Sequence, residues 1–176
     1  MAALPNTLTL SADDYFDQGL DAEYEYIEGV LVPRRIGNPQ HSRMVIILGA
    51  WLVEYSPLID VFAGLVLNTA SGRFRVPDVC CYSKAGPQPD PVAAPSNPPV
   101  AVFEVLSPSD SLDEIIDKFG EYAALGVEHK YVVDPKHRRV LSPDFKGSLL
   151  AVDALSIVVG SASIDINTAD LFRKLN

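Results

Sequence analysis

Cysteine is nearly absent from the 176 residues: there are two, and they are neighbours, Cys80 and Cys81. Adjacent residues of an extended chain point to opposite sides, so no bridge between them is expected. No Cys or His spacing suits a zinc site. Both facts fit a reducing compartment. No apolar run reaches the roughly 20 residues that span a bilayer. The opening MAALPNTLTLSADD has no basic stretch followed by an apolar one, as a secretory signal would. The expectation is a cytoplasmic protein with no membrane partner. Positive charge is also scarce, with 14 Lys and Arg against 23 Asp and Glu and a formal net charge of −9. That balance argues against a broad basic surface gripping a phosphate backbone. It leaves room for a local patch, and only RRIGNPQHSR (34–43) and KHRR (136–139) can supply one. Any nucleic-acid role must rest on these, on a divalent metal, or on a partner. No G-x-S-x-G stretch occurs, and the cysteines have no histidine partner evident in sequence, so a metal-independent hydrolase has little support.

What is present is ordinary for a globular chain: 48% hydrophobic and 21% charged. The length suits one domain, residues 1–176, with a core large enough to need no disulfide or metal for stability. Ser11, with Asp13 and Asp14 behind it, caps a short helix ending near Gly19. EYEYIEGVLVPRR alternates and breaks at Glu28-Gly29, which predicts a β-hairpin. His41, Val45, Leu48, Trp51, Leu52 and Tyr55 recur at helical spacing, so residues 40–56 are expected to form an amphipathic helix closed by Pro57. Two short strands near 59–67 and 73–82 follow, separated by NTASG. The proline-rich stretch 85–99 reads as an exposed loop. VAVFEVL is a core strand. Ser111 and Glu114 then stand in capping-box spacing, and a helix runs to about Leu125, where Gly126 ends it. HKYVVDP (129–135) is another strand. Alternating segments at 148–152 and 155–159 and a last turn, ADLFRKL, complete the chain. The order predicts a mixed α/β (α+β) domain with a central sheet flanked by helices.

Three acidic residues stand out against apolar surroundings: Asp78 in RFRVPDVCCYS, Glu104 in VAVFEVL and Asp134 in YVVDP. A buried, unpaired carboxylate costs several kcal/mol, so such groups are paired, protonated or bound to metal. Two carboxylates on strands suit a hard cation such as Mg²⁺, which takes oxygen ligands and keeps several waters. Such an ion polarises a phosphodiester and helps generate hydroxide. Plainer roles compete. Asp78 after Pro77 could shape the start of a strand, Glu104 could face solvent, and Asp134 before Pro135 is most simply a turn former.

The segments YEYIEG (24–29), NPQHSRMVIILGAWL (38–52), RVPDVCCYS (75–83), VFEVLSPSDS (102–111), DKFGEYAALGVEHKYVVDP (117–135) and DLF (170–172), in this order and spacing, resemble the Uma-type family of restriction endonucleases. That family lies within the PD-(D/E)XK nuclease superfamily. The resemblance implies a restriction-endonuclease-like fold with a central mixed sheet. It implies Mg²⁺- or Mn²⁺-dependent hydrolysis of DNA phosphodiester bonds, with Asp78 and Glu104 as the metal-binding carboxylates. It also implies a homodimer, since cutting both strands calls for two sites related by a two-fold axis. The apolar segment LSIVVG could form that interface or finish the core. One departure matters. The superfamily pattern wants lysine two residues after the glutamate, and here that residue is Leu106. Lys118, in the matching DKFGEY segment, is the candidate replacement; the alternative is that it pairs with Glu114 or Tyr122, one turn away. Glu25 could add a carboxylate, with Glu28 competing for the role. His41, on the apolar face of its helix, could support the site or be structural. Ser107 and Ser109 could bond Glu104 or phosphate, although cap and turn roles are simpler. An inactive nuclease-fold protein that binds nucleic acid or builds assemblies is the competing class, motivated by Leu106 and the net charge.

Overall fold

The computed structural model describes residues 10–34, 37–91, 93–108 and 110–175. Arg35 of the first basic cluster and Ser109 lie outside the described residues. Helix α1 (Ala12–Asp17) begins where the Ser11 hydroxyl accepts the Asp14 amide, as the acidic first turn predicts. Strands β1 (Tyr24–Ile27) and β2 (Val30–Pro33) form the expected hairpin. Its two turn residues, Glu28 and Gly29, have φ of 50° and 90°, the left-handed conformation that a two-residue turn needs to match strand twist. Helix α2 (Pro39–Val53) starts at Asn38, whose side chain accepts the His41 amide, with Pro39 in the first turn. It ends before the predicted 56.

The two strands expected at 59–67 and 73–82 are four. Gly64, with φ of 64°, ends β3 (Ile59–Ala63), and Pro77 separates β5 (Arg73–Arg75) from β6 (Val79–Ser83). Strand β4 (Leu67–Ala70) takes up most of the predicted NTASG break. The division has a topological meaning: β4 and β5 join the hairpin in a small sheet ordered β2-β1-β5-β4, whereas β3 and β6 enter the large one. Val76-Pro77-Asp78 is therefore the crossing between two sheets.

The large sheet is completed by β7 (Ala101–Val105), β8 (His129–Asp134), β9 (Arg139–Pro143) and β10 (Leu149–Val152), in the order β10-β9-β8-β7-β6-β3. Only β7 and β8 run parallel. Such a pair requires a crossover, here helix α3 (Leu112–Leu125), ended by Gly126 with φ of 107°. The expected capping box does not form. Ser111 makes no side-chain cap bond, and the nearby Asp110 carboxylate accepts the Ser107 amide instead. The sequence reading also missed β9 and the last strand, β12 (Ala162–Asn167), which pairs with β11 (Ala154–Val159). Helix α4 (Thr168–Arg173) closes the chain.

Side chains alternate across the large sheet. Val79, Cys81, Ala101, Phe103, Val105, Tyr131 and Val133 pack under Met44, Leu48 and Leu52 of α2. Cys80, Tyr82, Val102, Val132 and Leu141 pack under Ile115, Phe119 and Tyr122 of α3. The two cysteines are free and buried on opposite faces. Leu155, Ile157 and Val159 of LSIVVG sit in the first of these cores, so that segment completes the interior. No helix among the described residues is long and apolar enough to cross a membrane.

Candidate active site

Every residue of β7 is buried, because helices cover both faces of its sheet. Glu104 follows Val102 on the α3 side by strand alternation. It is 6% exposed, and α3 supplies its partners. The Tyr122 hydroxyl donates to Oε1 at 2.9 Å and the Lys118 ammonium lies 3.8 Å from the same oxygen. Burial pushes the Glu104 carboxyl up to about 8; Lys118 opposes that shift, while the charges of Asp78 and Glu25 add to it.

Asp78 ends the crossing between the sheets and immediately precedes β6, which pairs with β7. Its Oδ2 accepts the Val105 amide at 2.7 Å and lies 3.1 Å from His41 Nε2. The bond to Asp78 raises the His41 pKa against the opposing effect of burial. The His41 ring rests on bare backbone: a β-carbon at Gly37 would fall 2.3 Å from its Nδ1.

Glu104 Oε2 and Asp78 Oδ1 thus have no hydrogen bond among the described residues. Neither is sealed in the interior, since the only buried side-chain polar atom without a partner among those residues is Trp51 Nε1. Each carboxylate therefore presents one open oxygen. Both residues line a cleft of about 490 Å³, together with Glu25, His41, Arg75 and Lys118. Two open carboxylate oxygens fit a hard cation that completes its shell with water. Among the described residues no group of three or more His, Cys, Asp or Glu side chains is placed to hold a metal ion.

Lys118 reaches the site rather than pairing along its own helix with Glu114 or Tyr122. Its ammonium lies 2.9 Å from Glu25 Oε1, closer than to Glu104. Burial alone would lower the Lys118 pKa, but Glu104 and Glu25 reverse that and raise it. Glu25 is buried and also accepts from Arg75 at 2.9 Å and from the Val76 amide at 3.1 Å. Glu28 is exposed on the hairpin turn and pairs with Arg73, outside the cleft lining. The structure thus brings Asp78, Glu104, Lys118, Glu25 and His41 to one cleft. Asp134 closes on its own turn, through the His137 amide, His137 Nδ1 and Arg139 Nε. Ser107 lines the cleft, but no bond joins it to Glu104.

Sequence reasoning missed Arg75, Glu121 and Tyr122. Arg75 bonds Glu121 at 2.9 and 2.6 Å, and Thr69 and Arg73 add to the same carboxylate, which lowers the Glu121 pKa despite its burial. This network fastens the small sheet to α3. The signal was in RFR: residues 73 and 75 share one strand face, so two arginines there ask for an acid opposite.

The fold and the cleft define a mixed-sheet protein whose strand carboxylates and helix lysine meet at the junction of two sheets. The profile of the Uma2 family, described as "Putative restriction endonuclease", matches residues 12–142, and the chain belongs to that family. A solved structure with the same fold is the "putative nuclease belonging to DUF820" from Anabaena variabilis ATCC 29413. It superposes with a TM-score of 0.72 at 18% identity, covering 95% of this chain and 99% of that one. No curated protein sequence matches.

Proposed function

We propose that this chain is a divalent-metal-dependent endodeoxyribonuclease that hydrolyses DNA phosphodiester bonds. One observation carries the reading: Asp78 and Glu104 each keep an open oxygen in the cleft that Lys118 enters from α3. Lys118 thereby supplies the positive charge that Leu106 cannot. Asp78 and Glu104 would hold Mg²⁺ or Mn²⁺. When bound, that ion would polarise the phosphate and ease formation of hydroxide from water. The protein's own groups do the positioning. The Val105 amide and His41 fix the Asp78 carboxylate, and Tyr122 fixes Glu104. Arg75 holds Glu25, and Glu25 holds the Lys118 ammonium beside Glu104. From there Lys118 can donate to a phosphate oxygen as negative charge builds on it. The free, buried thiols suit a reducing compartment, and the proposed setting is the cytoplasm. A homodimer, in which two sites face the two strands, is part of the proposal. Light scattering that shows monomer at every concentration would remove it.

The decisive experiment is plasmid nicking with Mg²⁺ or Mn²⁺ by the wild type, Asp78→Ala and Glu104→Ala. The expected result is nicking by the wild type alone; equal nicking by all three proteins overturns the assignment. A second reading, a nuclease fold that binds without turnover, draws on one distance: Lys118 is nearer Glu25 than Glu104. It predicts no calorimetric binding of Mn²⁺ by the wild type.

A further inference from the structure

The second basic cluster falls beside the cleft, although nothing in its sequence position requires that. Strand β8 runs parallel to β7 with Val105 opposite Val133, and the Leu106 amide bonds the Val133 carbonyl at 2.8 Å. The β8–β9 turn therefore leaves the sheet at the end where Glu104 and Asp78 stand. With strands about 4.8 Å apart, β9 is roughly 10 Å from β7 at that level. A second bond ties the turn to the site: Gln40, next to His41, donates to the Pro135 carbonyl at 3.3 Å.

The turn is built as a stiff base with a charged tip. Pro135 is buried, whereas Lys136, His137, Arg138 and Arg139 are exposed. Asp134 spends both oxygens inside the turn, on the His137 amide, His137 Nδ1 and Arg139 Nε. Arg138 is held at φ of 50°, a conformation that favours glycine. The α3 side of the cleft is the reverse in balance, with three acids, Asp110, Glu114 and Asp117, against one cation, Lys118. A polyanion entering this cleft is repelled along α3 and attracted along β8–β9. In a chain of net charge −9, that local asymmetry matters more than the total.

We infer that the β8–β9 turn, through Lys136 and Arg138, is a binding surface for the phosphate backbone of duplex DNA flanking the bond to be cut. The inference rests on the nuclease reading for its ligand class, but its test does not use cleavage. The measurement is fluorescence anisotropy of a labelled 20-base-pair duplex, and of one of its single strands, in EDTA across a salt series. The double variant Lys136→Gln/Arg138→Gly leaves the Asp134 bonds in place and removes the strain at 138. It should lower the salt slope of duplex binding by about two units, one for each phosphate that is no longer neutralised. Lys84→Gln, at the far end of β6 and paired with Asp60, should leave the slope unchanged. An unchanged slope in the double variant, an equal drop in Lys84→Gln, a drop on the single strand alone, or a wild type that does not bind duplex overturns the inference. Cleavage by a double variant with unchanged slope sinks this inference alone. A wild type that binds with the expected slope and never cuts sinks the nuclease reading alone.

Discussion

Glu104 and Asp134 stand near the same end of two neighbouring parallel strands, and both are buried. Their surroundings differ in the number of donors and in the carboxylates, Asp78 and Glu25, that crowd Glu104 but not Asp134. Asp134 has three for its two oxygens, and its pKa is lowered despite burial, by the bonds from His137 and Arg139. Glu104 has the Tyr122 hydroxyl and a lysine at 3.8 Å, both on one oxygen, and burial pushes it up to about 8. A buried acid with all its donors holds the fold together. One with too few is a stability cost, and that cost is a reason to look for a ligand.

Four substitutions test this comparison. On the proposed reading of Glu104 as a metal ligand, Glu104→Gln should lower metal-dependent nicking by about 10³-fold or more, because a metal-held charge contributes several kcal/mol to the transition state. The same variant should be more stable than the wild type at pH 8 to 9 in EDTA. The sign follows from linkage: an acid whose folded pKa is raised keeps its proton longer folded than unfolded, so wild-type stability falls between the ordinary glutamate value near 4.3 and about 8. Thermal melts at pH 6 and 9 check it; a steeper decline in Glu104→Gln would break the comparison. Lys118→Met should cost about 10²-fold in kcat with little change in KM, since it removes charge met only in the transition state. Asp134→Asn should leave nicking intact and cost about 2 kcal/mol of stability, read by urea unfolding at pH 7. Because the Asp134 pKa is lowered, that stabilisation is present above the ordinary value of about 3.9 and lost as pH falls through the native one. The gap between Asp134→Asn and wild type should therefore close below about pH 4. Gly37→Ala sharpens the point from the other side of the cleft. It should displace the His41 ring from Asp78 and slow nicking by about tenfold, with the melt nearly unmoved. Wild-type rates in Gly37→Ala would show that His41 has no positioning role.

The fold was legible where patterns are local. The Glu28-Gly29 turn, the α2 periodicity and the Gly126 stop all follow from spacing and turn chemistry. What was illegible was assignment between sheets. The segment 59–83 reads as two strands because its apolar alternation hardly breaks, yet its pieces belong to different sheets, divided at Gly64 and Pro77. For the site, Asp78 and Glu104 announced themselves as charges in apolar runs. Lys118 and Glu25 needed the family resemblance, because neither looks unusual on an amphipathic helix or a hairpin. Arg75, Tyr122 and Glu121 needed the three-dimensional arrangement. The turn at 136–139 was visible as a basic cluster; only the strand register placed it beside the cleft.

The single parallel pair has a consequence for how the molecule comes into being. A hairpin can close as soon as its second strand is made. β7 cannot pair with β8 until the whole of α3 has been synthesised and folded back across the sheet, a long-range closure of the slow kind. Lys118 travels on that same crossover. A chain interrupted before β8 holds Glu25, Asp78, Glu104 and Lys118 but lacks the strand that pairs with β7 beside them.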